Sequence, residues 1–255
     1  MKKTKQTDFE YEKLFDPDHY FHFYAHRLNE EQTQTEIKFL INTLSLDQGH
    51  HILDLACGWG RHANRLAQQS YKVMGIDRTS GFLARAKKEA EQLNVSVNYR
   101  HGDMRGIDFQ ADFDRVLCLF TAFGYFDDED NQQVLSNISR ALKPEGLLCF
   151  DIPHRDVQVQ KQKPYMVTHV GQDMMIDQMQ FDSLSGRRYY RRTLIRDGKR
   201  QDISFFVRLY NVQEISILLT QAGLTLKQIY ANWDSSEFTS ESERMILIAQ
   251  KRSKL

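Results

Sequence analysis

Twelve residues, Ile52-Leu-Asp-Leu-Ala-Cys-Gly-Trp-Gly-Arg-His-Ala63, constrain this chain more than any other stretch. They read as a buried strand that breaks into a glycine turn and opens a helix, which continues through Asn64-Arg-Leu-Ala67. Gly58 and Gly60 have no Cβ, so a ligand can approach the backbone there and positive φ costs little. The helix begins with free N–H groups and the positive end of its dipole. Together these features suit a polar or anionic group of a nucleotide-like ligand.

Two cofactor readings compete for the loop. Gly58-x-Gly60-x-x-Ala63 fits the dinucleotide fingerprint, which implies an NAD-dependent oxidoreductase. Asp54-x-Ala56-x-Gly58-x-Gly60 resembles the D-x-G-x-G-x-G loop of class I S-adenosylmethionine (SAM) dependent methyltransferases, with Ala56 at the first glycine. Asp54 separates the two. A carboxylate at the end of the first strand suits an ammonium or a sulfonium and repels a pyrophosphate. The SAM reading fits better in charge as well as in pattern.

The flanking chain supplies an α/β rhythm. Residues 1 to about 30 are polar and then aromatic, with Phe15, Tyr20, Phe21, Phe23 and Tyr24 crowded beside His19, His22 and His26. This segment reads as a lid that excludes water from a site, as a helix packing its aromatic face on the domain, or as both. Ile37, Leu40, Ile41 and Leu44 predict an amphipathic helix ending near Leu46. The first strand is expected from about His51 to Ala56, the loop helix to about Ser70, and the second strand over Lys72 to Ile76. Asp77 ends that strand 17 residues after Gly60. That is close to the spacing of an acid that accepts hydrogen bonds from ribose hydroxyls. The alternative for Asp77 is a helix N-terminal carboxylate.

A helix is expected from about Ser80 to Leu93 and a third strand from Val95 to His101. Gly102-Asp103-Met104 follows. Asp103 can accept from an exocyclic amine such as adenine's, and Met104 offers a soft apolar surface to a ring; Gly102-Asp103 also reads as a plain turn. Phe113 to Phe120 is nearly continuous in apolar residues, as for a strand covered on both faces. Its end opens into Thr121-Ala-Phe123-Gly-Tyr125-Phe126, on the side where open α/β sheets bind ligands. A helix from about Asp128 to Leu142 stops at Lys143-Pro-Glu-Gly146, and Leu147 to Asp151 is the fifth strand.

Residues 157 to 210 interrupt the rhythm. Asp182-Ser-Leu-Ser-Gly186 and Asp197-Gly198 are turn signals between β-rich runs. Antiparallel strands are predicted near 165–170, 173–181, 188–196 and 201–210. Arg187, Arg188, Arg191, Arg192, Arg196, Lys199 and Arg200 concentrate positive charge here. They read either as a grip on RNA or an anionic substrate, or as a solvated face paired with Asp173, Asp177 and Asp182; balanced overall charge favours the second. A helix over Asn211 to Ala222, closed by Gly223, precedes strands over Leu224 to Trp233 and Met245 to Gln250.

The series Asp54-Leu-Ala-Cys-Gly-Trp-Gly, Gly75-Ile-Asp77, Gly102-Asp103-Met104 and Leu142-Lys-Pro-Glu-Gly-Leu-Leu resembles the class I SAM-dependent methyltransferase family. The Asp-x-Ala-Cys-Gly-x-Gly-Arg-His loop and Phe123-Gly-Tyr-Phe126 narrow the resemblance to bacterial small-molecule methyltransferases. It implies a Rossmann-like, mostly parallel seven-stranded sheet with a terminal antiparallel hairpin, in one domain over residues 1–255. It implies SAM as cofactor and S-adenosylhomocysteine as product. Asp54, Ala56, Cys57, Gly58, Gly60 and Arg61 would face the methionine part. Asp77 would hold the ribose, Asp103 and Met104 would frame the adenine, Leu119 would floor the methionyl tail, and Arg78 and Gly102 would also border the cofactor. In related enzymes an insertion after the fifth strand covers the substrate or makes a dimer contact, so a homodimer through residues 157–210 is a further expectation.

The acceptor reading rests on Tyr20, Tyr24, Phe123, Tyr125 and His154, with His154, Tyr125 and His22 as candidate bases. The acceptor atom is expected to be N or O rather than C. Lys plus Arg and Asp plus Glu both number 34, so global charge steers the chain toward neither nucleic acid nor an anionic membrane. Three distant cysteines, Cys57, Cys118 and Cys149, make zinc and a disulfide framework poor readings. No apolar run or signal segment is present, so a cytoplasmic protein is expected. Ser253-Lys-Leu255 matches a peroxisomal address that has meaning only in a eukaryote. The alternatives are an RNA or protein methyltransferase, an NAD-dependent oxidoreductase, and a SAM-binding module without turnover.

Overall fold

The computed structural model describes residues 10–24 and 28–252. The readings that fall on His26 and on Ser253-Lys-Leu255 lie outside the described residues. In chain order the elements are α1 (Tyr11–Leu14), α2 (Pro17–Tyr24), α3 (Glu30–Thr43), β1 (His51–Leu55), α4 (Arg61–Gln68), β2 (Lys72–Asp77), α5 (Ser80–Gln92), β3 (Asn98–His101), β4 (Phe113–Cys118), α6 (Asp128–Ala141) and β5 (Leu142–Pro153). Then come α7 (Arg155–Gln160), β6 (Tyr165–Val170), β7 (Asp173–Asp182), β8 (Arg187–Arg196), β9 (Lys199–Arg208), α8 (Val212–Gln221), β10 (Leu224–Tyr230) and β11 (Arg244–Lys251).

The main sheet has seven strands in the order β10-β11-β5-β4-β1-β2-β3. Strands β1 to β5 run parallel, and β11 is antiparallel to both β5 and β10. This is the Rossmann-like fold with a terminal antiparallel hairpin. A parallel sheet must be covered on both faces, and alternation along β1 divides the cover. Ile52 packs with Ile37, Leu40, Leu66 and Leu83 from α3, α4 and α5. Leu53 and Leu55 pack with Val134, Leu135, Ile138, Ile215 and Leu219 from α6 and α8. Each such fully buried aliphatic side chain contributes about 1.5–3 kcal/mol. Local chemistry sets the helix ends. Asp127 caps α6 and acids fill its first turn, Asn211 and Glu214 form a capping box on α8, and Gly223 at φ 77° ends it.

The second sheet is an antiparallel meander, β6-β7-β8-β9, between α7 and α8. Its inner face forms a third cluster, in which Leu14 and Phe23 of the N-terminal helices meet Met175, Leu194, Ile203, Phe205 and Val207. The aromatic helices therefore pack on the inserted sheet.

Several boundaries differ from the sequence reading. β3 begins at Asn98 rather than Val95, because the Val95 amide turns back to the Ala90 carbonyl at 3.0 Å. β5 begins at Leu142, which pairs with Phe113 before Lys143–Gly146 bulge out, with Glu145 at φ 63°. The short helix α7 was not anticipated, and β10 stops at Tyr230 rather than Trp233.

Candidate active site

The chain leaves β1 toward β2 and β3 on one side, then returns to β4 and β5 on the other. The carboxyl ends of β1 and β4 thus border the topological switch point, where open α/β sheets bind ligands. A cavity of about 990 Å³ opens there. The strand ends contribute Asp54, Ala56, Cys57, Gly58, Arg61, Asp77, Met104 and Leu119. The N-terminal helices contribute Tyr11, Leu14, Tyr20 and Tyr24, and the inserted sheet contributes Asp177, Met179, Arg188, Tyr190, Arg192 and Phe205. A recess of about 20 Å³, sharing Ala56, Asp77 and Met104 with the cavity, is lined also by Tyr11, Arg78, Gly102 and Asp103.

The two loop glycines do different work. Gly60, at φ 78°, forms the N-cap of α4; a Cβ there would lie 2.0 Å from Tyr99 Oη. Only glycine fits. Gly58, at φ 55°, would present its Cβ to open space, so its bareness keeps the cavity clear rather than the fold intact. Its amide donates to Asp77 Oδ2 at 2.8 Å, while Thr79 donates to Oδ1 at 2.7 Å. Ala56, which replaces the usual first glycine, holds a left-handed φ of 60°.

Asp54 is 2% exposed, and its Oδ2 has no hydrogen-bond partner. Burial first, then the charge of Asp77, push its carboxyl up to about 7, against Arg61 and the Ala63 amide. Burial also raises Asp77, against the Thr79 and Gly58 amides. Burial, then Asp54 and Asp77, push the Cys57 thiol well up, so it stays a neutral wall. A buried acceptor without a donor is costly. An ammonium beside Asp54 would satisfy it and reverse the upward shift. The donor set therefore fits a ligand with a cationic head and ribose hydroxyls.

Arg61 is 6% exposed, so it turns into the protein rather than to solvent. Its Nη1 lies 2.5 Å from Glu36 Oε2 and donates to Thr33 Oγ1 at 3.1 Å. His62 Nε2 reaches the same Glu36 oxygen at 2.7 Å. Burial pushes Glu36 up, but His62 and Arg61 together hold it down to about 2. Sequence reasoning missed Glu36, although its position beside Ile37 and Leu40 on the apolar face of α3 was a signal.

The β4 exit is strained. Phe120 and Thr121 take φ 62° and 59°, at a cost of about 1–3 kcal/mol each. The Phe120 amide donates to Asp151 Oδ1 at 2.5 Å. Arg244 pairs with Asp151 and donates to Thr121 Oγ1 at 2.9 Å. Neither Asp151 nor Arg244 was singled out in the sequence.

Tyr20, Tyr24 and Tyr125 line the cavity. The Tyr20 and Tyr24 ring centroids are 4.8 Å apart, and Phe15 meets Tyr125 edge-on at 5.4 Å. Two expected acceptor residues stand elsewhere. Phe123 is 1% exposed and packed against Phe150 and Tyr210. His154 sits at the N-cap of α7 with Nδ1 2.9 Å from the Ser242 carbonyl and its ring beside Phe238. His154 is not among the residues that line the cavity. His22 Nε2 lies 2.8 Å from Asp173 Oδ2. The arginine expectation is half met: Asp177 pairs with Arg192, but Arg188 and Arg192 are each only 7% exposed and face inward.

The fold, the switch-point cavity and the buried Asp54 at the end of β1 are consistent with a class I SAM-dependent methyltransferase. A family model described as "Methyltransferase domain" matches residues 52–146. The chain is 29% identical over 224 residues to a putative methyltransferase of Bacillus subtilis (strain 168), covering 81% of this chain and 86% of that one. It is 29% identical over 154 residues to a glycine/sarcosine N-methyltransferase of Aphanothece halophytica, covering 56% and 58%. A solved SAM-dependent methyltransferase from Clostridium acetobutylicum ATCC 824 superposes with a TM-score of 0.79 at 17% identity, covering 94% of this chain and 100% of that one. The chain is a class I SAM-dependent methyltransferase, similar to bacterial small-molecule methyltransferases, and its cofactor is SAM. The NAD reading of the loop gives way. No helix among the described residues is long and apolar enough to cross a membrane.

Proposed function

We propose that this enzyme methylates a small-molecule acceptor at an amine nitrogen. Asp54 receives the ammonium of the methionine part, beside Ala56, Cys57, Gly58, Gly60 and Arg61, above Leu119. Asp77 accepts from the ribose hydroxyls, and Arg78, Gly102, Asp103 and Met104 border the adenine. The orphaned Asp54 Oδ2 carries this reading. When bound, SAM supplies a methyl group already activated by a positively charged sulfur. The protein's task is then alignment and exclusion of water.

The N-terminal helices serve as a lid over the cavity, and residues 157–210 insert into one domain spanning 1–255. Tyr20, Tyr24, Tyr125 and Tyr190 surround the acceptor space. Burial pushes the Tyr20, Tyr125 and Tyr190 hydroxyls up, so they stay protonated and orient an acceptor without taking its proton. With His154 outside the cavity lining, a neutral amine, which brings its own lone pair, fits better than a hydroxyl that needs a base. A glycine/sarcosine N-methyltransferase among the relatives supports a small amine. The RNA or protein alternative loses support because Arg188 and Arg192 face inward.

The test is calorimetric titration of the wild type and Asp77→Ala with SAM, S-adenosylhomocysteine and NAD, followed by an acceptor screen scored by S-adenosylhomocysteine release. Micromolar SAM binding that the variant loses, then turnover of amines but not their hydroxyl analogues, is expected. Turnover of hydroxyl acceptors alone would refute the nitrogen assignment. Unchanged SAM affinity in Asp77→Ala would refute the ribose role.

A further inference from the structure

The cavity holds one buried cation that methyl transfer, as described, leaves unused. β8 is paired on both sides, Arg188 lying opposite Phe181 of β7 and Val207 of β9. Strand alternation turns Arg188, Tyr190 and Arg192 to the same inner face. The other cations lining the cavity are paired or exposed. Arg61 meets Glu36 at 2.5 Å, Arg192 grips Asp177 at 2.7 and 2.8 Å, Arg244 meets Asp151, and Lys161 meets Glu243 at 3.0 Å. Lys163 is exposed to solvent.

Arg188 differs. It is 7% exposed, yet no carboxylate among the described residues forms a salt bridge with it. Nη1 donates to Gln158 Oε1 and Nη2 to the Gln158 carbonyl, each at 3.0 Å, and Nη1 lies 3.5 Å from Tyr190 Oη. Nε is buried with no partner. Neutral oxygens thus fix the plane of the guanidinium but leave its charge uncompensated, which is costly in a desolvated wall. Arg188 lines the cavity, and Nη2 keeps a second hydrogen for a charge-assisted bond to a carboxylate oxygen.

We propose that Arg188 anchors a carboxylate on the methyl acceptor, so that the enzyme selects amines that carry an acid group. The inference rests on the methyl-transfer reading and specifies its substrate class. One uncompensated positive charge matches one negative charge, which favours a carboxylate over a phosphate bearing nearly two. Arg188 acts on binding and orientation, in the wall that the inserted sheet contributes, and takes no part in bond making.

The test loads wild type, Arg188→Gln and Arg188→Lys with S-adenosylhomocysteine and titrates them calorimetrically. The probes are amino acids and aminobenzoates, each matched with its primary amide, plus amino-sugar phosphates. At least one acid is expected to bind the wild type about ten- to a hundredfold more tightly than its amide, the range of one charge-assisted pair. Arg188→Gln should erase that preference and Arg188→Lys restore part of it, with S-adenosylhomocysteine affinity unchanged in both. A merely structural role, clamping α7 to the sheet through Gln158, would weaken acid and amide alike. The proposal is overturned if no acid binds the loaded wild type, if amides bind as well as acids, if Arg188→Gln keeps the preference, or if only phosphates bind. A wild type that binds neither SAM nor S-adenosylhomocysteine would overturn the methyl-transfer reading, and this inference with it.

Discussion

The buried state of Asp54 predicts a pH dependence of SAM binding that is unusual for an aspartate. Burial and the charge of Asp77 hold its carboxyl at about 7 in the ligand-free protein, against about 3.9 in an unfolded chain. If the ammonium of SAM requires the ionised form, affinity scales with the ionised fraction. That fraction is about 3% at pH 5.5 and about 50% at pH 7, so SAM affinity should rise about fifteenfold across this interval. Above about pH 8 it should fall again as the α-amino group of the ligand loses its own proton. At pH 6 binding should release close to one proton, detectable by calorimetry in two buffers of different ionisation enthalpy. The sign for stability is the reverse. The folded protein holds a proton that the unfolded chain releases, so Asp54 favours folding most below pH 4. It should lose about 4 kcal/mol of that contribution as pH rises to 7. Asp54→Asn should flatten both profiles while weakening SAM. Wild-type affinity constant within threefold from pH 5.5 to 7, with no proton release, would sink the assignment of Asp54 to the ammonium.

Four further substitutions separate fold from site. Gly60→Ala drives a Cβ into Tyr99 Oη and should cost more than about 2 kcal/mol in urea melts; Gly58→Ala meets nothing and should cost about 1 kcal/mol yet abolish measurable SAM binding, a contrast that equal melts would refute. Glu36→Gln should cost about 3 kcal/mol at pH 7 because Arg61 is left buried and unpaired. Since Glu36 sits at about 2 in the folded state against an ordinary value near 4.3, its contribution is present above pH 4.5 and fades as pH falls toward 2. The gap between wild type and variant should therefore narrow in melts at pH 3. Asp151→Asn should release the left-handed pair Phe120 and Thr121, lowering kcat more than SAM affinity, with about 2–3 kcal/mol lost in stability; an unchanged kcat would detach the β4 bend from the chemistry.

The nucleotide half of the cavity was legible because its residues are local. Asp54, Gly58 and Asp77 fall within two consecutive strand ends, and the turn that joins them demands glycine wherever φ is positive and space is short. The inserted hairpins were legible for the same reason: Asp182–Gly186 and Asp197-Gly198 mark reversals by local turn chemistry, and the observed strands fall within two residues of the expected ones. Glu36 was hidden by its type. A carboxylate on an apolar helix face reads as an exception until Arg61 and His62 arrive from another helix to pair with it. His154 misled because its place just after β5 suggested a substrate-facing group, whereas it caps α7 with its ring nitrogen at the Ser242 carbonyl.

The acceptor half was illegible for a deeper reason. Along β8 the sequence Arg187-Arg-Tyr-Tyr-Arg-Arg-Thr-Leu194 puts two arginines and a tyrosine on each face, so period-two alternation cannot say which set is buried. What decides it is contact across great sequence distance: Leu14 and Phe23 cover one face of the sheet, and Arg192 donates to Tyr24 Oη at 2.9 Å. The same packing that turns Arg192 onto Asp177 turns Arg188 inward, where no acid awaits it. A solvated basic face and a buried cationic pocket are thus written in the same residues, and the N-terminal helices select between them. It follows that loosening α1 and α2 should change which acceptors are recognised before it changes how SAM is held. The cofactor loop is built on the main sheet, while Arg188, Tyr190 and Arg192 keep their desolvated setting only while those helices stay packed.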